Sequence, residues 1–269
     1  MKIERINPIP PLKNARILLT NDDGIHAPGF KVLESIAQSL GAEVWVVAPE
    51  TEHSGAGHSL TLHQPLRWRQ ISERRFAVEG TPTDCVLLAI NKFMADSLPH
   101  LVLSGVNRGA NMGDDVTYSG TIAAAMEATL LGVPAIALSQ VLRQQEPVKW
   151  RTAEVHAPEV IRTLCARGWP GDVLVSVNFP NVAAPSVRGV ALAPQGHHKV
   201  GDNLVERIDP RGRPYIWVGN LHADTALVEG SDMERSEAGW VTVTPLSVNL
   251  TDRSTLEHLA GVFDTGTVA

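Results

Sequence analysis

The sequence predicts an α/β protein with a doubly wound, mostly parallel sheet. In roughly the first two-thirds of the 269 residues, short and almost continuously apolar runs alternate with amphipathic helical patterns. Such runs are typical of strands covered on both faces, and strand–helix alternation is typical of parallel sheets. Beyond about Ala184 the strand-like runs are separated by polar segments rich in Gly and Pro. This change predicts β-hairpins appended to the core.

The elements of the predicted core follow one another in a Rossmann-like order. The strands are Arg16–Thr20, Glu43–Ala48, Leu101–Ser104, Pro134–Ser139 and Val173–Asn178. The helices are Pro28–Leu40, one that begins at Pro82 behind a Thr81 cap, Ser119–Leu131 and Thr152–Ala166. Gly41 and Gly132 end two of these helices, because Gly readily adopts the left-handed conformation of a helix C-terminus.

The C-terminal third is predicted to hold short strands and one short helix. The strands are Val187–Ala193, Tyr215–Val218 and Trp240–Pro245, and the helix is near Asp232–Glu237. Gln195–Val205 and Asp209–Pro214 are too polar for a core and predict loops or an extended arm. We therefore expect an N-terminal extension (1–15), an α/β core (16–185) and a hairpin and oligomerisation segment (186–269) integral to the same domain.

Composition excludes several classes of protein. The hydrophobic fraction of 43% is ordinary for a globular protein. A formal net charge of −6 gives no electrostatic footprint for a nucleic-acid polymer or an anionic membrane surface. No apolar run has the length of a signal peptide core or a membrane span. We therefore expect a cytoplasmic protein that binds neither nucleic acid nor membrane.

Two adjacent carboxylates close the first predicted strand. Ile17–Thr20 is followed by Asn21-Asp22-Asp23-Gly24, and ligands of open α/β sheets bind at the carboxyl ends of strands. A divalent cation is the simplest group that would keep both carboxylates ionised, and such oxygen donors suit Mg²⁺, Mn²⁺ or Ca²⁺. The alternative is an ordinary solvated turn, since Asn, Asp and Gly are common turn formers.

Three further loops follow predicted strands or open a helix. Ala48–Ser59 is rich in small and hydroxyl residues, and Ser104–Asp115 holds three Gly and two Asn. Tyr118-Ser119-Gly120-Thr121 opens the third helix, whose free N–H groups and dipole favour anions. Each loop alone also fits simple turning or capping. Together they place carboxylates, neutral oxygens and anion-binding amides at one sheet edge, which predicts metal-assisted phosphate chemistry.

With these loops, the chain closely resembles the SurE family of "survival protein" 5′/3′-nucleotidases. Residues 104–121 form the string Ser-Gly-Val-Asn-x-Gly-x-Asn-x-Gly-Asp-Asp-x-x-Tyr-Ser-Gly-Thr, which is far more specific than a short motif. The likeness also covers Ile17–Gly29, Ala48–Thr61, Val78–Asp84, Val177–Pro180 and Gly239–Leu246. The chain departs from the family pattern in its N-terminal extension, at His58, where Asn is frequent, and at Ala110, where Pro is frequent.

The resemblance implies a divalent-metal-dependent phosphatase that hydrolyses nucleoside 5′- and 3′-monophosphates. One Mg²⁺ or Mn²⁺ ion per subunit would be held by four residues that match the family's ligands, Asp22, Asp23, Ser54 and Asn107. The phosphate-side residues would be Asn111, Gly113, Ser119, Gly120 and Thr121. The family also forms homodimers or homotetramers that exchange C-terminal segments, which would explain the polar stretch 195–214 as an arm ordered by a neighbouring subunit.

The catalytic roles are predicted from the same residues. Asp22 and Asp23 would hold the ion, and an aspartyl-phosphate on either of them is the competing route. His58, or His26, would pass a proton to the leaving ribose oxygen, a common role of histidine in catalysis, unless it only makes structural hydrogen bonds. One alternative function is a receiver-like regulatory module, which would need an acceptor Asp after the third strand, where Ser104–Asn107 stands, and a Lys after the fifth, where Asn178–Pro180 stands. The other is a catalytically silent nucleotide-binding protein.

Overall fold

The computed structural model describes residues 9–143, 146–197, 203–219, 227–260 and 262. Its strands are β1 (Arg16–Thr20), β2 (Glu43–Pro49), β3 (Arg67–Ser72), β4 (Arg75–Glu79), β5 (Leu101–Arg108), β6 (Ala135–Gln140), β7 (Val173–Phe179), β8 (Val190–Leu192), β9 (Asn203–Ile208), β10 (Pro214–Gly219) and β11 (Val241–Ser247). Its α-helices are α1 (Pro28–Ser39), α2 (Pro82–Leu88), α3 (Gly120–Leu130), α4 (Trp150–Arg167), α5 (Asp232–Glu237) and α6 (Arg253–His258).

Nine of these strands form one sheet in the order β3-β4-β2-β1-β5-β6-β7-β11-β8. Neighbours from β4 to β7 are parallel, whereas β3 pairs antiparallel with β4 and β11 pairs antiparallel with β7. The mostly parallel sheet predicted from the alternating pattern is confirmed. β6 is buried along its whole length, as its continuous apolar run requires.

Helices cover both faces of this sheet. Successive side chains of a strand point to opposite faces, so Ile17 and Leu19 pack with residues of α1 and α4, whereas Leu18 packs with residues of α2 and α3. The two resulting hydrophobic clusters lie on either side of the central strands. The doubly wound arrangement is therefore confirmed.

The predicted helix starts are present in the structure. Pro28 is the first residue of α1, and the Ser119 side chain caps α3 by accepting the Ile122 N–H at 3.1 Å. At the start of α2, the Thr81 hydroxyl accepts the Asp84 N–H while the Asp84 carboxylate accepts the Thr81 N–H, a complete capping box. These local signals place the helices within two residues of the predicted bounds.

The C-terminal third differs in part from the prediction. Among the residues described beyond Ala184, only β9 and β10 form an appended antiparallel hairpin. The strands predicted at Val187–Ala193 and Trp240–Pro245 become β8 and β11, which extend the central sheet because β11 pairs with β7. The helix at Asp232–Glu237 is confirmed as α5. The hairpin of β3 and β4, the strand β9 and the helix α6 were not predicted, and β9 begins inside the segment Gln195–Val205 that was expected to form loops or an extended arm.

Parts of the predicted extensions lie outside the described residues. These are residues 1–8 of the N-terminal extension and residues 198–202 of the polar arm. The rest of the extension includes a single 3₁₀ turn, Leu12–Asn14. Within the described ranges, no helix has both the length and the hydropathy of a membrane span.

Candidate metal and phosphate site

The predicted site lies where the winding of the sheet reverses. β1 is paired with β2 on one side and with β5 on the other, and the later strands continue outward from β5. Such a switch point opens a crevice at the carboxyl ends of its two strands. Asp22 and Asp23 follow β1 there, and Asn107 and Arg108 end β5.

A cavity of about 510 Å³ opens at this crevice, a volume suited to a small-molecule ligand. It is lined by Asp22, Ser54, Gly55, Asn107, Arg108, Asn111, Asp115, Tyr118, Ser119 and Val218. The fold therefore brings together residues from three separate loops, the end of β5 and one residue of the β9–β10 hairpin. Half of these residues were named from the sequence.

Asp22 is a buried carboxylate, only 4% exposed. Its Oδ1 accepts a hydrogen bond from the Thr121 hydroxyl at the start of α3. Burial raises the pKa of Asp22 to about 6, the Thr121 hydroxyl opposes this rise, and the charge of Asp23 adds to it. The ionised form is thus costly in the protein alone, and a nearby cation would favour it.

Asp23, which follows β1, is held beside Asp22 by a hydrogen bond from the last residue of β5. The Arg108 backbone N–H donates to Asp23 Oδ2 at 3.2 Å. Burial raises the pKa of Asp23, the hydrogen bond from Arg108 lowers it, and the charge of Glu52 raises it further. Both adjacent carboxyls are therefore shifted toward the neutral form, chiefly because they are buried.

Asn107 and Ser54 present neutral oxygens to the same crevice. The Asn107 Nδ2 donates to the Gly109 carbonyl at 3.1 Å, which leaves the amide oxygen for a ligand. The Ser54 hydroxyl donates to Glu52 Oε1 at 2.8 Å, so its oxygen keeps its lone pairs to accept or to coordinate.

These four side chains fit a hard divalent cation. Two carboxylates, one amide oxygen and one hydroxyl are oxygen donors of the kind that Mg²⁺ and Mn²⁺ prefer. No group of three or more His, Cys, Asp or Glu side chains suited to a metal occurs among the described residues. A thiolate or imidazole site for a softer metal is therefore not found in the described part of the chain.

The predicted phosphate-side residues divide into two groups. Asn111 and Ser119 line the cavity, whereas Gly113, Gly120 and Thr121 do not. Thr121 binds Asp22, and a Cβ on Gly120 would lie 2.7 Å from the Asp22 Cβ. Thr121 thus orients the Asp22 carboxylate through its hydroxyl. Gly120 lets α3 approach Asp22 closely, because no larger side chain fits between them.

His58 also lies outside the cavity lining. Its Nε2 is 2.9 Å from Oε2 of Glu127, a largely buried acid on α3. This contact ties the Ser54–Ser59 part of the loop after β2 to α3. The position is that of an anchor for the loop, rather than of a group that faces the cavity.

Sequence reasoning named the loops of the site but missed several of its residues. Arg108, Gly55 and Tyr118 stand directly beside predicted residues, and Asp115 lies within the predicted Ser104–Asp115 loop but was not predicted as a site residue. Arg108 is the one cationic side chain in the described lining. Val218 had no local signal, because it reaches the cavity from the β9–β10 hairpin more than a hundred residues further along the chain.

Comparison with known proteins agrees with this geometry. The model of the family described as "Survival protein SurE" matches residues 17–202. The 5′-nucleotidase SurE of Paramagnetospirillum magneticum is 56% identical over 256 residues, which are 95% of this chain and 98% of that protein. The 5′-nucleotidase SurE of Rhodospirillum rubrum is 53% identical over 262 residues, 96% of this chain and 99% of that one.

A solved structure extends the likeness to three dimensions. The crystal structure of the SurE protein from Aquifex aeolicus superposes with a TM-score of 0.80 at 36% identity, covering 91% of this chain and 98% of that chain. The matched range includes the carboxyl ends of β1, β2 and β5 and the start of α3, from which nine of the ten cavity residues come. The chain belongs to the SurE family.

Proposed function

We propose that this chain is a divalent-metal-dependent 5′-nucleotidase that hydrolyses nucleoside 5′-monophosphates, and also 3′-monophosphates, to nucleoside and phosphate. The activity is supported by the name shared by its highly similar relatives. One observation supports the metal-dependent part most directly. Asp22 is a buried carboxylate next to a second one, and it faces a cavity of a size suited to a nucleotide.

The proposed cofactor is one Mg²⁺ or Mn²⁺ ion per subunit, held by Asp22, Asp23, Ser54 and Asn107. When bound, a divalent cation supplies Lewis-acid polarisation of the phosphoryl group. The two carboxylates hold such an ion without leaving a net charge that would repel a phosphate dianion. Thr121 fixes the orientation of Asp22 through its hydroxyl, so the ligand geometry is set by α3.

The remaining cavity residues bind and orient the phosphate in this proposal. Arg108 places a positive charge in the cavity. The Ser119 oxygen accepts the Ile122 N–H as the cap of α3, which leaves the hydroxyl proton of Ser119 for a phosphate oxygen. The first N–H groups of α3 stabilise negative charge as it develops on the equatorial oxygens.

His58 has a different role in this proposal from the one expected of a catalytic acid. Its Nε2 is engaged by Glu127 and its ring does not line the cavity. This geometry supports a role in holding the loop that carries Ser54. Proton transfer from His58 to the leaving ribose oxygen would require the ring to reach the cavity, which it does not line.

We also propose that the protein forms a homodimer or homotetramer through its C-terminal segment, 186–269, which is part of the same domain as the core. The β9–β10 hairpin supports this proposal. It exposes large apolar side chains at 60–71% of their surface, namely Leu204, Ile208, Ile216, Trp217 and Val218. A patch of this kind usually marks a protein–protein contact.

Phosphate release from a panel of nucleoside monophosphates tests the proposed activity. Wild-type protein is compared with and without Mg²⁺ or Mn²⁺, beside Asp22→Asn and Asp23→Asn. Asp172→Asn is the matched control, because it removes an exposed carboxylate at the amino end of β7, the opposite edge of the sheet. The control should behave as wild type. Equal release by wild type and the two site variants would overturn the proposal.

A further inference from the structure

Another buried carboxylate, Asp232, lies outside the cavity lining and hydrogen-bonds to none of the proposed metal ligands. Asp232 is the first residue of α5 and is only 1% exposed. It does not line the cavity. A fully buried carboxylate needs hydrogen-bond donors, so its partners show what it does in the fold.

All the recorded donors to Asp232 are backbone N–H groups from three different segments. Its Oδ2 accepts from Gly113 at 3.0 Å. Its Oδ1 accepts from Gly196 at 2.8 Å and from Met233 at 2.8 Å. One side chain therefore ties the loop after β5 to the chain that leaves β8 and to the start of α5.

Gly113 is held from its other side as well. The Gln195 Nε2 donates to the Gly113 carbonyl at 2.9 Å. Both polar groups of the Gly113 backbone are thus bound by residues of the C-terminal third. Gly113 has a positive φ of 54° and begins the 3₁₀ turn Gly113–Thr117, so its position sets where that turn starts.

This turn joins the cavity residues of two elements. Asn111 precedes it, Asp115 lies within it, and Tyr118 and Ser119 follow it. Asn111 is already fixed, because its N–H donates to Asn178 Oδ1 at 2.9 Å and its side chain to Ser139 Oγ at 2.7 Å. Asp232 supplies the corresponding anchor two residues further along the loop, at the Gly113 N–H.

We propose that Asp232 is a positioning residue for phosphate binding, acting through Gly113 on the loop between β5 and α3. This inference rests on the proposed nucleotidase function. The proposed metal ligands lie on other segments, at the ends of β1, β2 and β5, so the effect of Asp232 falls on the phosphate side alone. The same carboxylate anchors Gly196, on the chain that leads from β8 toward the hairpin carrying Val218.

The chemistry of the three donors explains why a carboxylate stands here. Two ionised oxygens accept from three N–H groups, whereas an amide has a single acceptor oxygen. In Asp232→Asn the new NH₂ group would face at least one backbone N–H. That N–H would lose its partner in a buried place, and the loop would move to relieve the contact.

The experiment compares Asp232→Asn with Ser231→Ala in the full-length protein. Ser231 is equally buried and caps the same helix by accepting the Glu234 N–H at 3.3 Å, but it does not bind Gly113. Amide hydrogen exchange of residues 111–119 is measured first, since it needs neither metal nor activity. The inhibition constant for inorganic phosphate, kcat and KM for a nucleoside monophosphate, and Mn²⁺ affinity by calorimetry are measured next.

We expect Asp232→Asn to speed exchange in residues 111–119 and to weaken inhibition by phosphate about tenfold, as for the loss of a hydrogen bond to a charged group. KM rises with it, and Mn²⁺ affinity stays within twofold of wild type. Ser231→Ala leaves phosphate inhibition within twofold of wild type. Unchanged exchange and phosphate inhibition in Asp232→Asn, or an equal loss in Ser231→Ala, would overturn the inference.

A second variant keeps the test decisive if Asp232→Asn does not fold. Gln195 is exposed, and Gln195→Ala removes only the other hydrogen bond to Gly113. It should weaken phosphate inhibition about threefold in the same direction, as for a neutral hydrogen bond. Wild-type protein that released no phosphate from nucleotides would contradict the proposed function, while the exchange comparison would still decide whether Asp232 holds the loop.

Discussion

Two regions of this molecule reverse the usual placement of side chains. The crevice between β1 and β5 buries a carboxylate, Asp22, whereas the β9–β10 hairpin exposes large apolar side chains such as Ile216 and Trp217. A buried charge and an exposed apolar patch are the informative departures from ordinary burial. Each one indicates a partner, and the two partners differ in kind: a cation in the crevice and a protein surface on the hairpin.

The difference also separates function from assembly. In the crevice both carboxylates are tied to a neighbour, Asp22 to the Thr121 hydroxyl and Asp23 to the Arg108 amide. The hairpin instead forms a separate two-stranded sheet, and its apolar side chains are turned to solvent. Val218 connects the two regions, because it belongs to the hairpin and lines the cavity. The predictions below test the two regions from the largest expected effect to the smallest.

Removing the buried charge should separate activity from stability. Asp22→Asn is expected to lower kcat/KM about 10³-fold, because several kcal/mol of transition-state stabilisation depend on the bound cation. The same change should raise the melting temperature of the metal-free protein, since it removes a desolvated charge. Steady-state kinetics and calorimetry check both effects, with Asp172→Asn as control. A lower melting temperature at pH 7.5 would show that the charge is already compensated.

The pH dependence of stability should reveal the same charge. Burial raises the pKa of Asp22 from its ordinary value of 3.8 to about 6 in the folded protein. Between these values the folded state binds the extra proton, so stability falls as pH rises through this window and levels off above about 6. The total fall in the free energy of unfolding across this window is about 3 kcal/mol.

Denaturant unfolding of metal-free wild type and Asp22→Asn at pH 4 to 7.5 measures this effect as a difference between the two profiles. The variant lacks the contribution of Asp22, so its profile should be flatter. Saturating Mn²⁺ should abolish the fall in the wild type. Parallel profiles for the two proteins would contradict the assignment of a raised pKa to Asp22.

Removing the apolar surface of the hairpin should act on assembly. Ile216→Ser with Trp217→Ser is expected to weaken self-association about 30-fold or more, since a buried Trp at an interface commonly contributes 2 kcal/mol or more. Leu98→Ser is the control, because Leu98 is an exposed apolar residue just before β5, at the amino edge of the sheet. Sedimentation equilibrium measures the change. An unaltered association constant would contradict the proposal that the subunits associate through the β9–β10 hairpin.

The smallest expected effect is at His58. If His58 anchors the loop, His58→Ala lowers kcat less than tenfold, and His58→Gln restores most of it by donating to Glu127. Both variants then keep the pH profile of the wild type. A 100-fold loss in kcat, together with loss of one limb of the pH–rate profile, would instead identify His58 as the proton donor.

Much of the core was predictable because its signals are local. β1 coincides with the predicted Arg16–Thr20, and Pro28 and the Thr81–Asp84 capping box mark helix starts through contacts within four residues. β3 escaped prediction because all its side chains are exposed, so it lacks the apolar alternation by which a strand is recognised. β8 and β11 were recognised as strands but misplaced, because strand pairing depends on residues far apart in the chain.

The sequence by itself determined which loops meet at the site, because parallel strands bring their carboxyl ends to one edge and residues 104–121 match a long family pattern. It also supplied the type of each donor atom. Only the tertiary structure decided which of these residues face the cavity and which support them. Thr121 and Gly120 shape Asp22, His58 binds Glu127, and Asp232 reaches Gly113 from 119 residues away. Side-chain packing between distant segments decides such roles, and neither spacing nor composition records it.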